Sequence, residues 1–451
     1  MNLFKTPEGY LFSNKALFYL FIPLLIEQAL EFFVGLADSI MVASLGEVAI
    51  SGVSLVDFLM QLLIFSFSAL ATGGAVIAGQ YLGDNKLDEA RNASNQLIWF
   101  SAISSIIFMF IVLFARSFLI GILFGQIESD VWANADIYLM IVAISIPFIA
   151  IYNAGAAIFR TTNDAFLPMK IMFACDILNV VGNAYCIYFL GWRVEGVAIP
   201  TVISRFLAAV IILYCVLDEN YILHIKRTLR HKFDLKILKN VLNVGIPYGI
   251  ENGLFQLGRI LVLSLVSTFG TMAIAANSVG YAIGIFSVLP GFAINLGLTA
   301  VISRCVGAND YEQVRFYNKK IILIVFISHI IINVAIFALL PFILDIYQLS
   351  DQTAAMASEM IIWHGIFAII IWPIAFTLPA TFRGAGDSKT VMYISLAVMF
   401  TCRIALSYVI ADWLGVGVFG TWIAMFIDWY VRAALYVYRY FSNKWTEYRI
   451  V

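Results

Sequence analysis

Three carboxylates lie on one face of the first long apolar segment of this chain. The segment runs from Phe18 to Gly46, is long enough to cross a membrane, and contains Glu27, Glu31 and Asp38. On a helix that turns about 100° per residue, these side chains fall within an arc of roughly 40°. A carboxylate at the middle of a bilayer costs on the order of 3 kcal/mol. We therefore predict that the three acids face a water-filled cavity.

Further polar side chains lie inside later apolar segments of the first half. They are Asp57 in the second segment, Asp176, Asn179 and Asn183 in the fifth, and Thr201 in the sixth. Oxygen atoms are the ligands that hard cations prefer, and neighbouring groups tune the proton affinity of a carboxylate. Asp38 with Asn179, Asn183 and Thr201 is therefore a candidate site for a hard cation or for a proton.

A purely structural reading stays open for some of these groups, because amides and acids also join membrane helices by hydrogen bonds. It suits Asn179 or Asn183 taken alone. It suits Asp38 poorly, since Arg205 is the only basic residue within the apolar segments of the same half.

The composition identifies a polytopic membrane protein. Of the 451 residues, 62% are hydrophobic and 12% are charged, and the mean hydropathy is +0.93. Soluble domains carry about twice that charged fraction. Twelve apolar runs reach spanning length. Their approximate bounds are 16–43, 53–78, 94–115, 134–158, 171–190, 197–217, 241–268, 275–302, 318–340, 359–380, 391–411 and 418–438.

The distribution of Lys and Arg predicts the orientation of these spans. With both termini in the cytoplasm, the external loops hold only Arg116 and Arg193, as the excess of positive charge on the cytoplasmic side requires. The predicted organisation is an N-lobe over 1–217, a basic cytoplasmic linker over 218–240 and a C-lobe over 241–451.

The two lobes are predicted to be copies of one another. A shift of 224 residues aligns Pro23 with Pro247, Glu27 with Glu251 and many other positions without gaps. Each copy has six spans, an even number, so both cross the membrane in the same direction. Parallel repeats of this kind place the substrate site near their interface.

The second half differs from the first at the candidate cation site. Val262 stands at the position of Asp38, and Arg403 and Ser407 stand at those of Asn179 and Asn183. The first half is therefore predicted to hold the cation. The residues predicted to line a substrate cavity are Glu27, Glu31, Asp57, Glu251, Asn252, Gln256 and Arg259. Asp428 and Arg432, four residues apart in the last span, are predicted to form an ion pair within the helix.

Motifs for other chemistry are missing from the sequence. It contains no GxxxxGK[ST] phosphate loop, no HExxH and no Cys-x-x-Cys. We expect no enzymatic activity, no cofactor and no nucleic-acid partner. A membrane receptor or scaffold without transport activity lacks support, because no sizeable soluble region is available for signalling.

Several motifs resemble those of the multidrug and toxic compound extrusion (MATE) transporters. They are GLADSIMVASLG in span 1, GQYLGDNKLDEAR with its copy SRCVGANDYEQVR, and FRGAGDSK after span 10. The resemblance covers essentially the whole chain. It implies an all-α fold of twelve transmembrane helices in two parallel six-helix repeats, arranged as a V around a central cavity.

The resemblance also implies antiport of an organic cation against Na+ or H+ across the cell membrane. Asp38 matches the aspartate that takes the coupling cation, and Asn179, Asn183 and Thr201 match its other ligands. Several family members have aspartate at the position of Asn183, and Asp176 is a candidate for supplying the missing charge.

A second site occurs in another branch of the family, where a glutamate in span 7 pairs with an aspartate in span 10. Glu251 is the candidate for the glutamate, but span 10 has no mid-helix acid. The leading hypothesis is a monomeric exporter of cationic amphiphiles that bends span 1 at Pro23. The alternative is a flippase for lipid-linked oligosaccharides from the same superfamily. Carboxylates outnumber arginines within the spans, which argues for a cationic cargo, but Arg259 and Arg403 keep the alternative open.

Overall fold

The described part of the chain is almost entirely helical. The computed structural model describes residues 6–124, 128–226 and 232–451, and these contain no β-strand. The helices are α1 (Asn14–Ala43), α2 (Glu47–Gly83), α3 (Leu87–Phe124), α4 (Ser129–Val142), α5 (Ile146–Thr161), α6 (Phe166–Ala184), α7 (Glu195–Val216), α8 (Leu235–Ser267), α9 (Thr271–Gly307), α10 (Tyr311–Ile346), α11 (Asp351–Ile370), α12 (Leu378–Ala385), α13 (Ser388–Val398) and α14 (Phe419–Phe441).

The helices follow the predicted spans. Eleven helical stretches in the described ranges are long and apolar enough to cross a membrane, with α4 and α5 forming one of them. The twelfth predicted span is α14, whose 23 residues include the predicted ion pair between Asp428 and Arg432, at 2.9 Å. The all-α fold with twelve predicted spans is thereby confirmed.

Several predicted spans are not single regular α-helices, and the stretch 359–380 is one of them. The stretch 359–380 contains the end of α11, the wider π-helical turn Pro373–Thr377 and the start of α12. Pro373 lacks the N–H that would continue the α-helical ladder, which explains why the ladder changes there.

The chain forms two compact units. The first unit is Lys15–Gly249, and the second comprises Ile250–Ile450 with the described part of Met1–Asn14. The boundary between Gly249 and Ile250 lies inside α8. In the first unit α2 packs against α3, α4 and α5, and in the second α9 packs against α10, α11 and α12.

The backbone repeats the predicted duplication. Helices α2 and α9 begin and end at positions that differ by 224 residues. Gly46 and Gly270 precede them with φ of 103° and 92°, and Asn85 and Asn309 follow them with φ of 58° and 54°. Such positive φ values suit glycine and asparagine. The matching turn residues therefore reflect the same local geometry in both copies.

The helix α8 begins within the predicted linker. Residues 235–240 of the predicted linker are helical, because the Asp234 carboxylate accepts hydrogen bonds from the backbone N–H groups of Lys236 and Ile237 at 2.9 and 3.2 Å. This is the capping interaction typical of a helix start. Residues 227–231 of the linker, with two of its arginines, lie outside the described ranges.

The segment before α1 packs in the second unit. The Tyr317 hydroxyl of α10 accepts a hydrogen bond from the Phe12 N–H and donates one to the Phe12 carbonyl, both at 2.8 Å. The Phe12 side chain is 2% exposed. Lys320 donates to Thr6 at 2.8 Å and also to Asn14. Residues 6–14 thus belong to a different unit from most of the helix that follows them.

Small residues bring α2 and the start of α8 close together within the first unit. A Cβ atom at Gly73 would lie 2.6 Å from the Val241 carbonyl oxygen and 2.8 Å from the Gly245 backbone nitrogen. Glycine at such contacts is a common means of close helix packing in membranes.

We therefore expect Gly73→Ala to destabilise the protein by about 1–3 kcal/mol, because the added methyl group meets backbone atoms that no rotamer change can move. Thermal unfolding in detergent measures the effect. The matched control is Gly253→Ala in α8, where a Cβ meets nothing within 4 Å, and an unchanged or higher midpoint is expected there. Equal midpoints for the two variants would contradict this account of the contact.

Candidate functional site

The polar groups of three helices meet in the first unit. Asp38 on α1 is half-buried, and its Oδ1 accepts a hydrogen bond of 2.8 Å from the Nδ2 of Asn183 on α6. Asn179, one turn earlier on α6, donates to the Thr201 hydroxyl of α7 at 3.0 Å. A longer contact of 3.4 Å joins the Asn183 Nδ2 to the Asn179 Oδ1. We call these four residues the Asp38 cluster.

Two buried oxygen atoms at this place have no hydrogen-bond partner among the described residues. They are the Oδ1 of Asn183 and the Oδ2 of Asp176. Asp176 lies one turn before Asn179 on α6. Buried polar oxygens without partners are uncommon, and amide and carboxylate oxygens are suitable ligands for a hard cation. The donor set therefore fits a small cation.

Arg205, the basic residue within the predicted spans of the first half, is not in ion-pair contact with Asp38. In the described part of the chain, no ion pair of 4.0 Å or less involves Asp38 or Arg205. The Arg205 guanidinium donates to the Ser145 hydroxyl at 2.9 Å. Asp57 on α2 is exposed, and it accepts a hydrogen bond of 3.1 Å from the Tyr138 hydroxyl. The two aspartates thus have neutral donors as partners.

Glu27 and Glu251 are held in buried ion pairs. Arg160 at the end of α5 lies 2.8 Å from the Glu27 carboxylate, and Arg383 on α12 lies 2.9 Å from that of Glu251. Both glutamates are less than 9% exposed. The pairs occupy equivalent positions of the two copies. They give both acids a structural role, while their part in a substrate cavity stays a prediction.

Glu251 belongs to a larger buried network in the second unit. The Ser395 hydroxyl donates to Glu251 at 2.6 Å and accepts a hydrogen bond of 2.9 Å from Arg432. Arg432 also pairs with Asp428. Every charged group in this network therefore has an opposite charge beside it.

The other predicted cavity residues on α1 and α8 do not form one hydrogen-bonded group. Glu31 is exposed and accepts a hydrogen bond of 2.9 Å from Gln28. On α8, Arg259 donates to the Gln256 side-chain oxygen at 2.7 Å, and Asn252 is half-buried. The predicted hinge residue Pro23 is buried within α1, which continues through it as one helix.

Sequence reasoning missed the partners Arg160, Arg383 and Tyr138. The repeat contained a signal for the two arginines, since Glu27 and Arg160 recur together as Glu251 and Arg383. A carboxylate and an arginine duplicated as a set indicate a pair. No comparable signal pointed to Tyr138.

Comparisons with known proteins cover nearly the whole chain. The family model described as MatE matches residues 23–185 and 247–409, two stretches with the predicted offset of 224 residues. The probable multidrug resistance protein NorM of Thermotoga maritima is 24% identical over 96% of this chain and 93% of its own length. The uncharacterized transporter YisQ of Bacillus subtilis is 26% identical over 98% and 97%.

A solved structure has the same fold. It is an outward-facing conformation of a multidrug resistance MATE family transporter of the MOP superfamily. Its TM-score is 0.89 at 21% identity, over 96% of each chain.

The ion pair of the first unit makes a testable contribution to stability. Arg160→Gln leaves the Glu27 carboxylate buried without its charge partner, so we expect a loss of about 3–5 kcal/mol in the free energy of unfolding. Thermal unfolding in detergent measures the loss. The control is Arg116→Gln, which removes the more exposed pair with Asp136 and is expected to cost at most about 1 kcal/mol. A loss for Arg160→Gln no larger than that of the control would refute the assigned role.

Proposed function

Because the chain belongs to the MatE family, we propose that it is a secondary antiporter that exports cationic amphiphilic drugs or metabolites in exchange for Na+ or H+. The proposal places it as a monomer in the cell membrane with both termini in the cytoplasm. The excess of Lys and Arg in the predicted cytoplasmic segments supports that orientation.

The observation that carries the proposal is the state of Asp38. Its carboxylate lies within a membrane-spanning helix, with the Asn183 amide as its hydrogen-bond partner and no basic group in ion-pair contact in the described ranges. An ionised group removed from water requires a partner or a proton. A bound Na+ or a proton on Asp38 satisfies that requirement.

The surrounding oxygens allow either coupling ion. The side-chain oxygens of Asn179, Asn183 and Thr201 would complete a site for Na+, whose preference is for oxygen ligands. Hydrogen bonds to the carboxylate tune its affinity for a proton in the same way. The unpartnered Asn183 Oδ1 is the atom that a metal cation would engage in addition to Asp38.

The charges of the first unit support a cationic cargo. Glu31 and Asp57 are exposed on membrane-spanning helices, and neither has an ion-pair partner in the described structure. Carboxylates facing lipid are costly, so these two are expected to face water. An organic cation entering from that water would meet these negative charges and, apart from Arg205, little positive charge.

Antiport follows if ion and cargo stabilise different conformations. A ligand shifts a conformational equilibrium only by the difference between its affinities for the two states. Ion binding at the Asp38 cluster would favour the state with weak cargo affinity. Because coupling is reciprocal, cargo would weaken ion binding to the same degree.

The first test is Asp38→Asn, which keeps the shape of the side chain but removes its charge. We expect resistance to cationic drugs in an efflux-deficient host to fall to the level of cells without the transporter, with folding preserved. Asp130→Asn, at an exposed position of α4, is the control and should keep full resistance. Full resistance in the Asp38→Asn strain would refute the role of Asp38 in ion coupling.

The second test restores a charge at the ion site. Efflux from proteoliposomes, measured at fixed pH with and without sodium, identifies the coupling ion. With Na+ as that ion, Asn183→Asp is expected to lower the half-saturating sodium concentration at least about tenfold, because it adds a second carboxylate beside Asp38. Asn92→Asp, in the first turns of α3, is the charge-matched control. When sodium drives efflux by the wild-type protein, an identical sodium dependence in the Asn183→Asp protein contradicts a sodium site at the cluster.

A further inference from the structure

Two arginines in membrane-spanning helices of the second unit have no acidic partner in the described part of the chain. Arg259 is on α8, and Arg403 is in the π-helical turn Met399–Ala405 that extends α13. Both are half-buried, and neither takes part in an ion pair of 4.0 Å or less there. An unneutralised guanidinium at such a place is costly, and residues of this kind mark functional sites.

The groups in contact with the two arginines are neutral and mostly aromatic. The Arg259 guanidinium donates to Gln256 and lies 4.2 Å from the centre of the Tyr281 ring. The Arg403 guanidinium lies 3.3 Å from the Met425 sulfur and 5.2 Å from the centre of the Phe255 ring. Rings and a thioether orient a guanidinium without cancelling its charge.

The two arginines lie beside the same stretch of α8. The Arg403 guanidinium faces the Phe255 ring, and Arg259 follows Phe255 by four residues, one turn along the helix. Between them, a Cβ atom at Gly258 would lie 3.3 Å from the Cδ1 of Ile404, the neighbour of Arg403. Two positive charges held near each other repel, so their proximity is favourable only when an anion lies between or beside them. The arrangement is therefore suited to an anionic group.

The buried acids Glu251 and Asp428 of the same unit are each in ion-pair contact with a different arginine. Glu251 accepts two hydrogen bonds from Arg383, at 3.0 and 2.9 Å. Asp428 accepts two from Arg432, at 2.9 and 3.3 Å. Each of these pairs is internally neutral. The anion that neutralises Arg259 and Arg403 is therefore expected to come from a ligand.

The internal repeat makes the contrast with the first unit explicit. Arg403 occupies the repeat position of Asn179, and Tyr281 occupies that of Asp57. Val262 replaces Asp38. The positions that hold acids and amides in one copy thus hold arginine, tyrosine and valine in the other.

We propose that Arg259 and Arg403, with Gln256 and Tyr281, form a binding site for the carboxylate or phosphate group of an amphiphile. Guanidinium forks bind both groups through charge-assisted hydrogen bonds. The Phe255 and Tyr281 rings supply apolar surface for the adjoining part of the ligand. This anion site goes beyond the proposed function, whose cargo is a cation, and it is measured without transport.

The test compares two probes that differ only in the charged group. Fluorescence anisotropy of 1-pyrenebutyrate and of 1-pyrenebutanol is titrated with the purified full-length protein, and the signal from detergent alone is subtracted. The wild-type protein is expected to bind the anion at least about tenfold more tightly than the alcohol. Equal affinities overturn the proposal, whatever the result of any efflux assay.

Substitutions then assign the preference to the two arginines. Arg259→Gln and Arg403→Gln should each reduce the preference for pyrenebutyrate over pyrenebutanol to about twofold or less. Arg259→Lys and Arg403→Lys should keep part of this preference. Arg315→Gln removes a charge from an exposed position of α10 and should leave the preference intact. A full preference in both glutamine variants, or its loss in the Arg315→Gln control, overturns the site.

Competition identifies the source of the anion. Displacement of bound pyrenebutyrate by phosphatidylglycerol, but not by diacylglycerol, which has no phosphate, assigns the site to a lipid phosphate group. Resistance to both lipids, with displacement by benzoate, assigns it to a soluble anion. Equal displacement by phosphatidylglycerol and diacylglycerol shows that the negative charge is not recognised, and the proposal then fails.

Discussion

A charge that enters a membrane-spanning helix must be neutralised, and this requirement shapes the polar interior of both units. The pairs of Glu27 with Arg160 and of Glu251 with Arg383 satisfy it within the chain, at equivalent places of the two copies. Asp38 lies outside this arrangement, since its described partner is an amide. The paired buried charges stabilise the fold, whereas the charge of Asp38 is available to bind a ligand.

Duplication explains what the copies share, and divergence explains what each contributes. The helix boundaries, the left-handed turn residues and the glutamate–arginine pairs recur in both units. The polar side chains of the Asp38 cluster do not recur. Helix α6 has Asn179 and Asn183, whereas the second copy has Arg403 and Ser407 at these positions. A duplicated scaffold can thus present one acidic and one basic surface on helices in equivalent positions.

The fold could be predicted from the sequence because length, hydropathy and the repeat all depend on local composition. The same is true of the spacing that brought Asn179 and Asn183 onto one face of α6. Contacts between distant helices were less accessible: the Tyr138 bond to Asp57 joins residues 81 positions apart, and no local pattern encodes it. Glu27 is the clearest example. The helical periodicity of α1 placed it on the same face as Asp38, but its ion-pair partner, Arg160, lies at the end of α5.

The position of Phe12 has a consequence for the independence of the halves. The segment before α1 packs against α10, so the polypeptide passes between the two units twice, once near Asn14 and once inside α8. Cleaving the linker would therefore not release two self-sufficient fragments. The N-terminal fragment would contain Phe12, the hydrogen-bond partner of Tyr317, and the C-terminal fragment would contain residues 235–249, which belong to the first unit.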